Sequence, residues 1–164
     1  HQPFVYFANY AEGSSARSAH LKDLTDFDRA AVAGELPAVS FIQPMENHTE
    51  HPGNSIIAGE NEVLRIVNEV RNSANWPTTA IFVTYDENGG FWDHVAPPAG
   101  DRWGPGVRVP TMVISPFARR GYVDHTTYDT TSLLAFIEHR WHLDPLSTRD
   151  AAANDLTAAF DFSQ

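Results

Sequence analysis

Four side chains suited to metal or acid–base chemistry fall within nine residues. Asp86, Glu87, Asp93 and His94 lie in the stretch 79–98, read TAIFVTYDENGGFWDHVAPP. Two adjacent carboxylates supply hard oxygen ligands and the imidazole a nitrogen, the usual material of a divalent-metal or acid–base site. Asn88-Gly89-Gly90 follows the acidic pair and lets the backbone turn sharply and approach a ligand closely. A solvated turn after a strand would use the same residues. The preceding run favours a site: Thr79 to Tyr85 is continuously apolar, β-branched and aromatic, which reads as a strand buried on both faces. In open α/β sheets ligands bind at the carboxyl ends of such strands.

The elements that must position this stretch can be read around it. Phe4 to Tyr10 reads as a short strand and Ala11 to Ala19 as a loop. A short helix with Leu24, Phe27 and Ala31 on one face is expected to end at Gly34. Ala38 to Ile42 reads as a second buried strand, halted by Pro44, and residues 45–59 as a long functional loop carrying His48 and His51. Val63, Ile66, Val67, Val70 and Ala74 recur at helical spacing, the strongest such signal in the chain, and predict a helix over 60–74. Strand, helix and strand in that order imply a parallel pair with a right-handed crossover. Val107 to Ile114 reads as a further strand, and Leu133, Leu134, Ile137 and Trp141 as one face of another helix. Three strand ends would then bring His51, the Asp86–Glu87 pair and Arg119, Asp124 and His125 to one rim.

Composition narrows the function. With 164 residues the chain reads as a single domain, 1–164, able to bury a real core. Its net charge of −10, with Lys22 the one lysine, leaves no basic stripe and excludes nucleic acid as a partner. The absence of cysteine excludes disulfides and thiolate metal sites. No apolar run approaches membrane-spanning length, no signal peptide is read, and a start at His1 suits a processed or excised piece.

The phrases PFVYFANY, LPAVSFIQP, HPGNS, TYDENGGFWDHVAPP, VPTMVISPFARRGYVDH and YDTTSLLAFIE occur in this order over nearly the whole chain. They resemble the carboxyl-terminal half of the bacterial phosphoesterase family that includes acid phosphatases and non-haemolytic-type phospholipases C. The resemblance implies an alkaline-phosphatase-like α/β/α sandwich with a mostly parallel sheet, of which this chain is the carboxyl-terminal part. It implies metal-dependent hydrolysis of phosphate esters through a covalent phospho-enzyme. One divalent metal ion of unspecified identity would be held by Asp86 and Glu87, together with an acid–asparagine pair and a hydroxyl nucleophile from the amino-terminal half. His51, in its His-Pro step, would contact the phosphate, and His1 would be the second histidine of a His-His-x-Pro-Phe motif. Secretion or periplasmic export follows from the resemblance alone.

The nucleophile and its acid–asparagine neighbours have no counterpart among these residues; Ser55 and Thr84 are hydroxyls outside any recognisable nucleophile context. The leading expectation is therefore half of a phosphoesterase acting on a phosphate ester or phospholipid. Its missing half would come as a separate chain or be masked by self-association. Asp93 and His94 would orient the ligands from behind. Two alternatives stand beside it: a self-contained hydrolase in which Asp86, Glu87, His51 and His94 hold a metal that activates water, and a noncatalytic α/β subunit that binds a cation or phosphate.

Overall fold

The structure, a computed structural model, describes residues 2–100 and 102–163. The chain divides into two compact units, one ending at Thr79 and the other beginning at Ala80.

The first unit is helical. Helix α1, Ser15–His20, starts where the Ser14 hydroxyl accepts the Arg17 N–H at 3.2 Å, so a segment expected as loop is a short capped helix. Helix α2, Leu24–Ala33, ends as expected at Gly34, whose φ of 74° is the left-handed cap conformation that glycine adopts without strain. Helix α3, Ile56–Arg71, begins four residues earlier than the apolar pattern suggests because the Ser55 hydroxyl caps it by accepting the Ala58 N–H at 3.3 Å. Ile66, Val67 and Val70 form its buried stripe, and Ala31 of α2 is buried too. On the flank, the Arg65 guanidinium reaches Glu62 and Glu69 on its own helix and Asp28 on α2, at 2.7 to 3.0 Å. This network ties the two helices together.

Two expected strands are absent. Phe4 to Tyr10 forms two consecutive 3₁₀ turns, Pro3–Tyr6 and Ala8–Tyr10. Ala38 to Ile42 has no regular structure, and Val39 and Phe41 are exposed. An extended segment becomes a strand only when a neighbour pairs its N–H and C=O groups, and no described residue does so here. The parallel β-α-β unit is therefore not formed among the described residues.

The second unit carries the sheet. Strand β1, Ile81–Thr84, pairs antiparallel with β2, Thr111–Ile114, from Ile81 opposite Ile114 to Thr84 opposite Thr111. Neither face of β1 is fully buried; all four residues are intermediate. The mostly parallel sheet expected is thus corrected to a two-stranded antiparallel ladder. Phe82 packs edge-on against Phe136, at 5.1 Å between centroids, and against Phe160 at 6.1 Å. Phe160 stacks on Phe136 and Phe162, is 4% exposed, and with Leu156 makes the core of this unit.

Helix α4, Thr131–Trp141, contains all four residues expected on one helical face, but Trp141 is exposed and the buried positions are Ser132 and Glu138. Their polarity has a use. Ser132 Oγ accepts the Asp129 N–H at 3.1 Å, and Glu138 hydrogen-bonds Asp150 of α5, Thr148–Ala152. A cavity of about 320 Å³ lies beside this contact, lined by His139, His142 and Asp155 among others.

Candidate functional site

The candidate site residues divide between the two units. Asp86, Glu87, Asp93 and His94 follow β1 in the second unit, whereas His51 precedes α3 in the first. His1 lies outside the described residues.

Asp86 and Glu87 emerge just past the last paired residue of β1, where the sequence puts them, and both are exposed. The strand stops there for a local reason. The Thr84 and Thr111 hydroxyls lie 2.8 Å apart and Thr84 Oγ1 donates to the Pro110 carbonyl at 3.2 Å, closing the ladder. Beyond it Gly89 and Gly90 take φ values of 68° and 74°, the conformation the Gly-Gly pair was expected to supply. The Gly89 N–H donates to Glu87 Oε2 at 2.6 Å, and Asn88 Nδ2 to the Phe91 carbonyl at 2.5 Å, so the turn after the acidic pair is internally braced.

A hard divalent ion takes six or more oxygen ligands. Asp86 offers its carboxylate at the surface, and Glu87 retains an oxygen beyond the one turned to Gly89. The donor set suits such an ion in kind and is incomplete in number. Among the described residues no three His, Asp or Glu side chains come close enough together to hold a metal.

Asp93 is engaged otherwise. Arg108 donates to it through Nε and Nη2, both at 2.9 Å, and the Val95 N–H adds a third bond at 3.0 Å. The Arg108 fork, then the Val95 N–H, hold the Asp93 carboxyl far below its ordinary range. His94 Nδ1 stands 3.6 Å from the same carboxylate, with its ring largely exposed. Arg119, read as a rim residue, donates from Nε to the Phe160 carbonyl at 3.1 Å and lies over the Tyr122 ring. Arg108 was not legible as part of the site; the sequence put it within the expected 107–114 strand, which forms only over Thr111–Ile114, and its partner is fifteen residues away.

His51 is exposed in a braced loop. Asn54 Nδ2 donates to the Glu46 carbonyl at 2.6 Å and to Thr49 Oγ1 at 2.9 Å. Gly59 of α3 lies against this segment so closely that a Cβ there would fall 3.3 Å from the Glu50 nitrogen and from the His48 carbonyl oxygen. The His51 Nδ1 lies 2.9 Å from the Pro52 carbonyl oxygen, which can only accept. Nδ1 is therefore the donor in this contact and carries a proton.

The sequence profile of the Phosphoesterase family matches residues 1–144. The chain belongs to the phosphoesterase family. Among the relatives of the chain, the non-hemolytic phospholipase C of Burkholderia pseudomallei is 38% identical over 165 residues, covering 79% of this chain and 23% of its own length. Phospholipase C A of Mycobacterium tuberculosis is 35% identical, covering 84% of this chain and 32% of its own length. Non-specific phospholipase C6 of Arabidopsis thaliana is 29% identical, covering 91% and 35%. The chain thus spans about a quarter to a third of the length of these relatives. No helix among the described residues is long and apolar enough to cross a membrane.

Proposed function

We propose that this chain contributes the metal-holding carboxylates and a phosphate-contacting histidine to an enzyme that hydrolyses phosphate esters of the phospholipase C kind. The observation that carries the reading is the exposed Asp86–Glu87 pair at the end of β1, braced by the Gly89-Gly90 turn, inside the segment matched to the phosphoesterase family. Asp86 and Glu87 would hold one divalent ion, which when bound lowers the pKa of an attacking oxygen and offsets charge on the phosphoryl group. With Nδ1 donating to Pro52, Nε2 of His51 would be the nitrogen that faces a phosphate oxygen or the leaving oxygen. The attacking hydroxyl and the remaining ligands would lie outside these 164 residues. That agrees with the incomplete donor set and with the quarter to third of its relatives that the chain spans. An alkaline-phosphatase-like sandwich would then be completed by residues outside these 164.

Hydrolysis of a chromogenic phosphomonoester and of a phosphocholine ester by the 164-residue chain, with Mn²⁺ and beside Asp86→Asn, tests the reading. The expected result is no turnover by either protein. Turnover that disappears in Asp86→Asn would overturn the separate nucleophile and establish a self-contained hydrolase.

A further inference from the structure

Between β1 and β2 the chain runs from residue 85 to residue 110 without a helix or ladder strand among the described residues. Such an excursion should leave its acidic pair poorly placed. Two ties prevent that. The Thr84–Thr111 hydroxyl contact closes the neck, and the Arg108 fork grips Asp93. Arg108 stands three residues before β2, and Asp93 seven residues after Asp86, so the segment 86–93 is held at both ends by groups anchored on the same ladder.

Three features distinguish this pair from an incidental surface ion pair, which contributes little. It is bidentate, the fork that a guanidinium supplies and an ammonium does not. The acceptor side chain is only 16% exposed although Arg108 is 61% exposed. The same carboxylate oxygen that meets Nη2 also accepts the Val95 N–H, so the fork fixes main chain as well as side chain. With both oxygens so occupied, Asp93 is a clamp and leaves ligation to Asp86 and Glu87.

We propose that Arg108 is the positioning residue of the acidic pair, holding the Asp86–Val95 segment through its fork on Asp93. The functional part of this inference rests on the metal-holding reading above; the mechanical part does not. Hydrogen exchange of the 164-residue chain separates the two. In Arg108→Lys, which keeps the charge and loses the fork, the amides of Gly89 to Val95 should exchange at least about tenfold faster, while those of α4 are unchanged; Arg120→Lys should match wild type. The Mn²⁺ dissociation constant of Arg108→Lys should rise about tenfold, the effect typical of removing a group that orients a metal ligand. Unchanged exchange in Gly89 to Val95 would overturn the proposal, as would faster exchange with unchanged Mn²⁺ affinity. A wild-type chain that takes up no Mn²⁺, with exchange still responding to Arg108→Lys, would refute the metal reading and leave the clamp standing.

Discussion

Replacing Phe160 by alanine should loosen the strand that delivers the acidic pair, and its cost can be worked from the packing. The ring is 4% exposed and touches Phe82 of β1, Phe136 of α4 and Phe162, with centroids 5.4 to 6.1 Å away. An aromatic side chain buries about 200 Å², which at about 25 cal/mol per Å² amounts to about 5 kcal/mol. Allowing for area already hidden in the unfolded chain lowers this to about 3 to 4 kcal/mol. That lies within the range of about 3 to 5 kcal/mol for emptying a buried aromatic site. Phe162 provides the internal comparison, because its ring stacks on Phe160 at 5.6 Å yet is 64% exposed. Phe162→Ala should cost only about 1 kcal/mol, the scale of an aromatic pair contact. Phe160→Leu, which keeps most of the volume, should cost about 1.5 kcal/mol and guards against a variant too unstable to measure. Urea unfolding read by tryptophan fluorescence gives each difference. A cost below about 1 kcal/mol for Phe160→Ala, or equal costs at 160 and 162, would refute the assignment of this cluster as the support of β1.

The buried carboxyl pair of α4 and α5 should make stability depend on pH from both sides. Burial first, and then the hydrogen bond to Asp150, pushes the Glu138 carboxyl above its ordinary 4.5, so its contribution is present below pH 4.5 and fades as pH rises through the raised value. The Ser147 hydroxyl chiefly holds Asp150 below its ordinary 3.8, so that contribution is present above pH 3.8 and is lost as pH falls through the lowered value. Melting temperatures from pH 2 to 8 should lose their high-pH decline in Glu138→Gln and part of their acid decline in Asp150→Asn; profiles parallel to wild type would contradict the pairing. Gly100→Ala should destabilise the long loop, because a Cβ there would stand 2.1 Å from the Gly104 carbonyl oxygen and 2.9 Å from its carbon, backbone atoms that must shift. A cost of about 1 to 3 kcal/mol in thermal unfolding is expected, and a neutral substitution would show that the loop yields freely.

What the sequence made legible was local. Helix α2 with its Gly34 cap, the Ile66, Val67 and Val70 stripe of α3 and the glycine turn after Asp86 each depend on a few neighbouring residues and appear where the pattern put them, while β1 keeps only the middle of the expected 79–85 strand and α3 ends before Ala74. What it did not make legible depends on distant partners. The apolar run 38–42 has strand composition, but strands are fixed by pairing, and none reaches it among the described residues. The expected parallel pair joined 38–42 to the 79–85 strand; the first of these forms no strand, and the ladder that does form joins β1 to β2 in the antiparallel direction. At the site, the exposure of Asp86 and Glu87 followed from the strand end, whereas the occupation of Asp93 by Arg108 followed from a contact across fifteen residues. Trp141 looked like core by spacing, yet α4 spends its buried positions on Ser132 and Glu138, whose hydrogen-bond partners lie outside the helix.

We propose that Asp86 and Glu87 hold a divalent ion. Paramagnetic broadening by Mn²⁺ of the amide signals of the isotopically labelled chain addresses it at single-residue resolution and registers weak binding by an incomplete ligand set. Broadening centred on Asp86 to Gly90, and abolished in Asp86→Asn, is the result predicted. Broadening centred elsewhere, or unchanged by that substitution, would contradict it.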